Sequence, residues 1–404
     1  MTRTGWLLLA ISLLLPTGSA AWGSDFFFKD GDCVVVLGDS ITEQHLYSNY
    51  LEMWTLSRFP AWKITFHNVG IGGDTSGGGN ARFDRDVLAY KPTALTVDFG
   101  MNDGGYGGFD PNRFKAYMAG LSGIADKAKA AKIRVAWITP SPVEKNENGP
   151  AIEGYNRTLE KFSEGLKAQA RAYGGFFVDQ LHPCVAVQDK ARAANPANRI
   201  GGGDWIHFGP PGQALMASAI LKGMNFPTQV AAVEIDAAGK VKKAQNCKVT
   251  EASAANGGLK FTQLDGALPF FPDEAAKILE WSPILEEMNQ YTLKVTGLKA
   301  GKYDVQLGGK TIGQYSGAEL AAGVSLAAAA LKTGPVADQV KAIWDAVKAK
   351  NQYNHDQIYR GLILAGSKDT AEIKARQAEV AKKDAEIQKL RAMTPHTVEI
   401  IPAK

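Results

Sequence analysis

Between residues 32 and 224, short apolar runs alternate with longer amphipathic stretches, and this alternation restricts the possible folds more than any other feature of the chain. Such a pattern is typical of parallel strands joined by helices that cover both faces of one sheet. It predicts strands at Cys33–Leu37, Ile64–Val69, Ala94–Phe99, Ile133–Ile138 and Gly175–Val178, and helices at about 42–57, 110–130, 152–172 and 210–223. Residues 28–226 are therefore expected to form one α/β domain around a five-stranded parallel sheet.

The pattern changes after Pro227 to β-like alternation interrupted by turns, which predicts a small β-rich unit over residues 228–315. Residues 316–404 are expected to form a helical extension that ends in a short strand, His396–Ile401. No motif in these two segments carries chemistry. We expect them to cover one face of the sheet, with glycan binding or a wall over the active site as the alternatives.

The first twenty residues have the composition of a secretory signal. A positive residue, Arg3, precedes an apolar run from Trp6 to Leu15, and small residues follow it. The run is shorter than the ~20 residues that a membrane-spanning helix needs, and no later apolar run reaches that length without charges. The sequence therefore predicts a signal peptide at 1–20, no membrane span, and export to the periplasm or the extracellular space.

Charge and cysteine content exclude several classes of protein. The 45 basic and 41 acidic residues give a net charge of +4, which is too small to indicate a nucleic-acid partner. Three cysteines are too few for a disulfide scaffold, and only a Cys184–Cys247 pair merits a test. The chain has no H-E-x-x-H, C-x-x-C or P-loop motif, so neither a metal nor another cofactor is expected. The oligomeric state is left open.

A serine directly follows the first predicted strand, in the segment Gly38-Asp39-Ser40. Ligands of open α/β sheets bind at the carboxyl ends of the strands. The Ser40 hydroxyl could project from this turn as a nucleophile, while its N–H at the head of a helix stabilises an oxyanion. A helix N-cap is an equally good interpretation of this serine.

Two further segments follow the second and third predicted strands. The first, Gly70–Gly77, narrowly misses a dinucleotide-binding fingerprint because Thr75 stands where the third glycine belongs. A glycine here would allow a backbone N–H to approach a substrate closely, although a flexible turn is the simpler interpretation. The second segment contains Asn102, whose side-chain amide can donate to an oxyanion or form an Asx turn.

The fourth segment lies before the last helix of the predicted domain and contains Asp204 and His207. A carboxylate three residues before an imidazole can accept a hydrogen bond from its Nδ1–H, which leaves Nε2 free to take a proton from a serine. Trp205, Phe208 and Tyr106 are candidates for an aromatic rim, or alternatively for the core.

The four segments occur in an order and spacing that strongly resemble the SGNH hydrolase (GDSL esterase) family over about residues 30–224. The matching segments are Gly38-Asp39-Ser40, Gly73 within Gly70–Thr75, Gly100-Met101-Asn102-Asp103, and Asp204-Trp205-Ile206-His207. One departure is Ile41-Thr42 in place of the usual Leu-Ser. These two residues begin a helix, and we expect no effect on the chemistry.

The resemblance implies a flavodoxin-like, three-layer α/β/α fold and a Ser-His-Asp triad. It implies that Ser40 is the nucleophile, His207 the base and Asp204 the residue that orients the base. It also implies an oxyanion hole formed by Ser40, Gly73 and Asn102.

The function expected on this basis is hydrolysis of carboxylic esters, with removal of acetyl groups from carbohydrate as one form of it. The substrate would be a small-molecule or polysaccharide ester. A lipase or thioesterase and an O-acyltransferase that uses the same triad are the alternatives.

Overall fold

The computed structural model describes residues 26–144 and 154–403. The signal peptide predicted at 1–20 lies outside these ranges. Within them, no helix is long and apolar enough to cross a membrane.

The first part of the chain forms a five-stranded sheet in which every pair of neighbouring strands is parallel. Its order is β2-β1-β3-β4-β5, the order of flavodoxin-like folds. The strands are β1 (Cys33–Gly38), β2 (Thr65–Asn68), β3 (Ala94–Asp98), β4 (Arg134–Ile138) and β5 (Phe176–Val178). Each lies within about one residue of a predicted apolar run, and the predicted fold class is confirmed.

Helices cover both faces of this sheet. They are α1 (Ser40–Glu43), α2 (Leu46–Arg58), α3 (Ser76–Ala81), α4 (Phe83–Asp86), α5 (Pro111–Ala130), α6 (Tyr155–Tyr173), α7 (Leu181–Ala194) and α8 (Pro210–Gly223), with a 3₁₀ turn at Leu88–Tyr90. One face packs against α3 to α6, and the other against α2, α7 and α8. Because both faces are covered, β1 and β3 are apolar almost throughout rather than alternating.

The helices differ from the prediction at α1–α2 and at α7. The helix expected at 42–57 is divided at His45, whose φ of 61° lies in the left-handed region and stops α1 before α2 begins. Helix α7 was not expected, because Pro183 in its first turn and the absence of a side-chain cap conceal its start.

Two mainly antiparallel sheets follow the α/β part. Their strands are β6 (Gln229–Asp236), β7 (Val241–Gln245), β8 (Cys247–Ala255), β9 (Gly258–Asp265), β10 (Gln290–Thr296), β11 (Lys302–Leu307), β12 (Lys310–Ser316), β13 (Val324–Ser325) and β14 (His396–Pro402). One sheet has the order β13-β10-β6-β7 and the other β12-β11-β14-β9-β8. The strand at the end of the chain therefore lies in the middle of the second sheet.

Helices occur both before and after β13. A 3₁₀ helix (Asp273–Glu280), α9 (Ile284–Met288) and α10 (Gly317–Ala322) precede it. The connection from β13 to β14 consists of α11 (Ala327–Ala330), α12 (Pro335–Tyr353), a π-helix (Asn354–Leu364) and α13 (Thr370–Leu390). Cys33, Cys184 and Cys247 lie in the described ranges, and all three are free, so the pairing of Cys184 with Cys247 is not formed.

Candidate active site

Ser40 is the first residue of α1, at the carboxyl end of β1. The cap of this helix is Asp39, whose Oδ1 accepts the Ile41 N–H at 3.0 Å. The Ser40 hydroxyl is thus not needed as a cap. It lies 2.8 Å from Nε2 of His207 instead.

Asp204 completes a line of hydrogen bonds with His207 and Ser40. Its Oδ2 lies 2.9 Å from His207 Nδ1, and its Oδ1 accepts the N–H groups of Ile206 and His207. Burial alone would raise the pKa of Asp204, but the bonds from the His207 and Ile206 N–H groups and from the His207 ring outweigh it. The net pKa is below its ordinary value, so this carboxyl is charged at neutral pH and favours an imidazolium beside it.

The loop that carries Asp204 and His207 is held by Glu144, which lies in the segment after β4. This side chain is buried, and its two oxygens accept the N–H groups of Ile200 and Gly201 at 2.7 and 2.9 Å. The Glu144 N–H in turn donates to the carbonyl of Trp205 at 2.9 Å. Sequence analysis missed Glu144. Its only signal is a carboxylate that directly follows a run of small residues and prolines.

Residues 69–75, called the Gly73 loop from here on, pack tightly against α1. A Cβ on Gly70 would lie 2.4 Å from the Glu43 nitrogen, and a Cβ on Gly72 would lie 4.0 Å from the Cβ of Ser40. Gly73 has a φ of 75°. Glycine is required at position 70 because a side chain there would collide with the backbone of α1, and it is favoured at position 73 because of the positive φ.

Asn102 joins the Gly73 loop to the turn that precedes Ser40. Its Nδ2 donates to the Asp74 carbonyl at 2.8 Å and lies 3.4 Å from Asp39 Oδ2. Its Oδ1 accepts the Tyr106 hydroxyl at 2.6 Å, which fixes the orientation of the amide. The structure thus brings Asn102 to the residues that adjoin Gly73 and Ser40.

Arg82 is a second residue that sequence analysis missed. This buried guanidinium donates to the carbonyls of Gly38 and Val69, at 3.1 and 2.6 Å, and to Asp74 Oδ2 at 2.7 Å. It therefore ties the turn before Ser40 to both ends of the Gly73 loop. Charge-assisted bonds of this kind are stronger than neutral ones.

The three residues considered for an aromatic rim differ in their burial. Phe208 is fully buried and belongs to the core. Tyr106 and Trp205 are half-buried and meet edge to face, with ring centroids 6.3 Å apart. Within residues 26–144 and 154–403, no three or more His, Cys, Asp or Glu side chains are grouped to hold a metal ion.

A parallel α/β sheet with a serine, a histidine and an aspartate bonded in series at its carboxyl edge is an arrangement used by hydrolases with a nucleophilic serine. Comparison with known proteins agrees with this class. Residues 36–215 match the model of the GDSL-like Lipase/Acylhydrolase family. This match supports the assignment of residues 36–215 to the SGNH hydrolase family, and the chain is an ester-hydrolysing enzyme.

Two relatives and one solved structure illustrate the likeness. An acetylxylan esterase from Geobacillus stearothermophilus is 25% identical over 218 residues, which cover 48% of this chain and 95% of the relative. Esterase TesA from Pseudomonas aeruginosa is 30% identical over 135 residues, which cover 30% of this chain and 63% of TesA. The structure of BT4096, a gut microbial diltiazem-metabolizing enzyme, superposes with a TM-score of 0.83 at 25% identity and covers 93% of this chain and 98% of its own. That likeness includes the C-terminal sheets and helices.

Proposed function

We propose that the protein is an exported serine esterase with Ser40 as nucleophile, His207 as general base and Asp204 as the residue that orients the base. The observation that carries the proposal is the pair of in-series contacts, 2.8 Å between Ser40 Oγ and His207 Nε2 and 2.9 Å between His207 Nδ1 and Asp204 Oδ2. Export rests on the signal-like composition of residues 1–20.

In the acylation step, Ser40 Oγ bonds to the ester carbonyl carbon while His207 Nε2 takes its proton. The negative oxygen that forms is stabilised by the N–H groups of Ser40 and Gly73 and by the amide of Asn102. Collapse of this intermediate breaks the bond to the alcohol, which leaves with the proton from His207. The acyl group stays on Ser40.

Water then attacks the acyl-enzyme by the same route. His207 takes a proton from the water, and the hydroxide oxygen bonds to the acyl carbon. When the second intermediate collapses, the carboxylic acid leaves and Ser40 recovers its proton from His207. Asp204 remains charged throughout and stabilises the imidazolium in both steps.

The preferred substrates are acetyl esters of carbohydrates. The acetylxylan esterase relative, of which this chain covers 95%, supports this choice. The side chains of His207 and Asp204 are 35% and 54% exposed, so a bulky alcohol can reach the triad from solvent. Tyr106 and Trp205 lie beside it and offer aromatic surfaces for a sugar ring.

The test measures acetate released from acetylated xylan oligosaccharides by the wild-type protein and by Ser40→Ala. We expect release by the wild type and a loss of at least about 10³-fold in the variant, because the nucleophile is missing. A fluorophosphonate probe should label the wild type and not Ser40→Ala. Equal release by both proteins would refute the serine mechanism.

Two further arms separate the alternatives. A series of synthetic esters with increasing acyl length should show the highest kcat/KM at acetyl, whereas a maximum at long chains would indicate a lipase or thioesterase. Addition of free sugar alcohols as acceptors should leave acetate as the product. Transfer of the acetyl group to the sugar would indicate an O-acyltransferase.

A further inference from the structure

The π-helix Asn354–Leu364 is the part of the C-terminal region that reaches the Gly73 loop. π-Helices are rare and often occur at functional sites. A Cβ on Gly361 would lie 2.6 Å from the Asp356 carbonyl, so this turn requires glycine. The helix buries Tyr359 in the core cluster on the α3 to α6 face of the parallel sheet.

Tyr359 contacts the Gly73 loop from the interior of the protein. Its hydroxyl lies 3.2 Å from the Val69 carbonyl, 3.0 Å from Asp86 Oδ2 and 3.0 Å from an Arg82 nitrogen. It thus joins the same cluster in which Arg82 ties the Gly73 loop to the turn before Ser40. The C-terminal region contributes one buried member of the scaffold around the nucleophile.

The next residue of the π-helix, Arg360, is connected to the same loop through Glu43 of α1. Arg360 Nη2 lies 2.7 Å from Glu43 Oε1, and its Nε donates to the same oxygen at 3.0 Å. The other oxygen of Glu43, Oε2, accepts the Gly72 N–H at 2.7 Å. One carboxylate in α1 therefore links an arginine of the C-terminal region to the residue before Gly73.

We propose that Arg360 is a positioning residue of the esterase site, and that it acts through Glu43 on the oxyanion donors of the Gly73 loop. This inference rests on the proposed function, because it needs an oxyanion beside Ser40. Arg360 has two effects. It fixes the carboxylate that holds the Gly72 N–H, and it neutralises a negative charge that would otherwise oppose the developing oxyanion.

The double role predicts a distinctive pattern in a mutant cycle. Arg360→Ala leaves Glu43 charged and unpaired, so kcat should fall roughly fivefold, near the upper limit for a partly exposed ion pair. Glu43→Gln breaks the ion pair with Arg360 but keeps an acceptor for the Gly72 N–H, so it should lower kcat by no more than Arg360→Ala does. Arg360→Ala combined with Glu43→Gln should match Glu43→Gln alone, because the charge that Arg360 neutralises is gone.

Three measurements distinguish this role from a merely structural one. KM should change by less than about twofold in Arg360→Ala, because the oxyanion forms only in the transition state. Affinity for a boronic acid, whose adduct with Ser40 places an oxygen in the oxyanion site, should fall in parallel with kcat. Arg360→Lys should restore most of the activity, since it restores the charge. Arg360 is 60% exposed, so these variants should fold.

Lys341→Ala is the matched control, because Lys341 forms an exposed ion pair with Asp345 of the same helix, α12. It should leave kcat unchanged. If Arg360→Ala kept the wild-type kcat, or if Lys341→Ala lost as much activity as Arg360→Ala, the inference about Arg360 would be overturned. An inactive Ser40→Ala in the same experiment would show that the proposed function still holds. Full activity in Ser40→Ala would overturn the proposed function, and the inference with it.

Discussion

Two Asp-x-x-His pairs with nearly the same geometry occur in this chain. In the second pair, Asp179 Oδ2 lies 2.6 Å from His182 Nδ1, and Asp179 directly follows β5, so it too lies at a carboxyl strand end. The pairs differ at the far ring nitrogen. His207 Nε2 faces Ser40, whereas His182 Nε2 lies 2.9 Å from Glu160. The motif alone therefore does not distinguish the two histidines, and the partner of Nε2 does.

The two Asp-x-x-His pairs give a prediction in which the second pair is the control for the first. Asp204→Asn should lower kcat by about 10²- to 10⁴-fold. The amide fixes the imidazole tautomer less well than the carboxylate does, and it does not stabilise the imidazolium. Asp179→Asn should leave kcat within about twofold of the wild type, since no nucleophile adjoins His182. Steady-state kinetics on an acetyl ester measures both. Similar losses in the two variants would show that Asp204 acts only on stability.

Asp39 caps α1, and the pKa of its buried carboxyl also makes the stability of the protein depend on pH. Its pKa is raised from 3.8 to about 7, mainly by burial, with a smaller contribution from the nearby carboxylate of Asp103. The folded protein therefore keeps this proton up to about pH 7, whereas the unfolded chain loses it near pH 4. Protonated Asp39 stabilises the folded state at low pH, and this contribution disappears as pH rises through 7.

We expect that Asp39→Asn makes the free energy of unfolding less dependent on pH. Between pH 5 and pH 8 the wild type should lose about 2–3 kcal/mol through this one group, and the variant should lack that loss. Denaturant unfolding at both pH values measures it. Asp369→Asn is the control, because Asp369 caps α13 through similar hydrogen bonds but is exposed. The same pH dependence in wild type and Asp39→Asn would contradict the assignment.

At the scale of elements, the start of the loop over residues 200–209 is held by the buried carboxylate of Glu144. Glu144→Gln should place an NH₂ group against one of the two N–H donors that Glu144 now satisfies, Ile200 or Gly201. We expect a loss of about 1–3 kcal/mol in stability and a fall in kcat, because a buried donor loses its partner. Hydrogen exchange at Ile200 and Gly201 should accelerate. Glu164→Gln, on the exposed side of α6, should change neither quantity.

The parallel strands could be predicted closely from the sequence because both faces of the sheet are buried. A strand that is buried on both faces consists of a continuous apolar run, which is visible in the sequence. The helices could be predicted less well. No local pattern in the sequence marks the break at His45 or the π-helix.

The same distinction applies to the site residues. Ser40, Gly73 and Asn102 were predicted as site residues because they belong to short motifs at strand ends, and Asp204 and His207 because they form a short motif before a helix. Glu144 and Arg82 belong to no motif, and their roles arise from contacts with residues that lie far from them in the chain, such as Gly201 and Gly38. Such supporting residues could be found only from the structure.

At the scale of the whole molecule, the C-terminal region is built into the α/β part. One continuous hydrophobic cluster includes Val34 of β1, Phe261 of β9 and Trp344 of α12. A buried ionic group crosses the same boundary. Lys350 of α12 is fully buried and donates to Glu52 of α2.

The carboxylates around Lys350 explain its charge. Burial alone would lower the pKa of Lys350, but Asp384 and Glu52 outweigh burial and raise it, so the ammonium is kept in the core. Asn351 donates to the second oxygen of Glu52 at 2.7 Å. The whole group joins α12 and α13 to α2, the helix that follows α1.

Lys350→Met should therefore destabilise the entire molecule rather than the C-terminal helices alone. It leaves Glu52 buried without its counter-charge, at a cost of about 3–5 kcal/mol. Thermal unfolding followed by near-UV circular dichroism and by fluorophosphonate labelling of Ser40 should shift together to lower temperature. Adding Glu52→Gln should recover part of the loss, because it removes the fully buried carboxylate, whereas Asp384, the other partner of Lys350, is 21% exposed. Lys341→Met, at a site 77% exposed, should leave the midpoint unchanged. If labelling of Ser40 persisted after the dichroism signal had melted in Lys350→Met, the α/β part would be stable without its C-terminal partner.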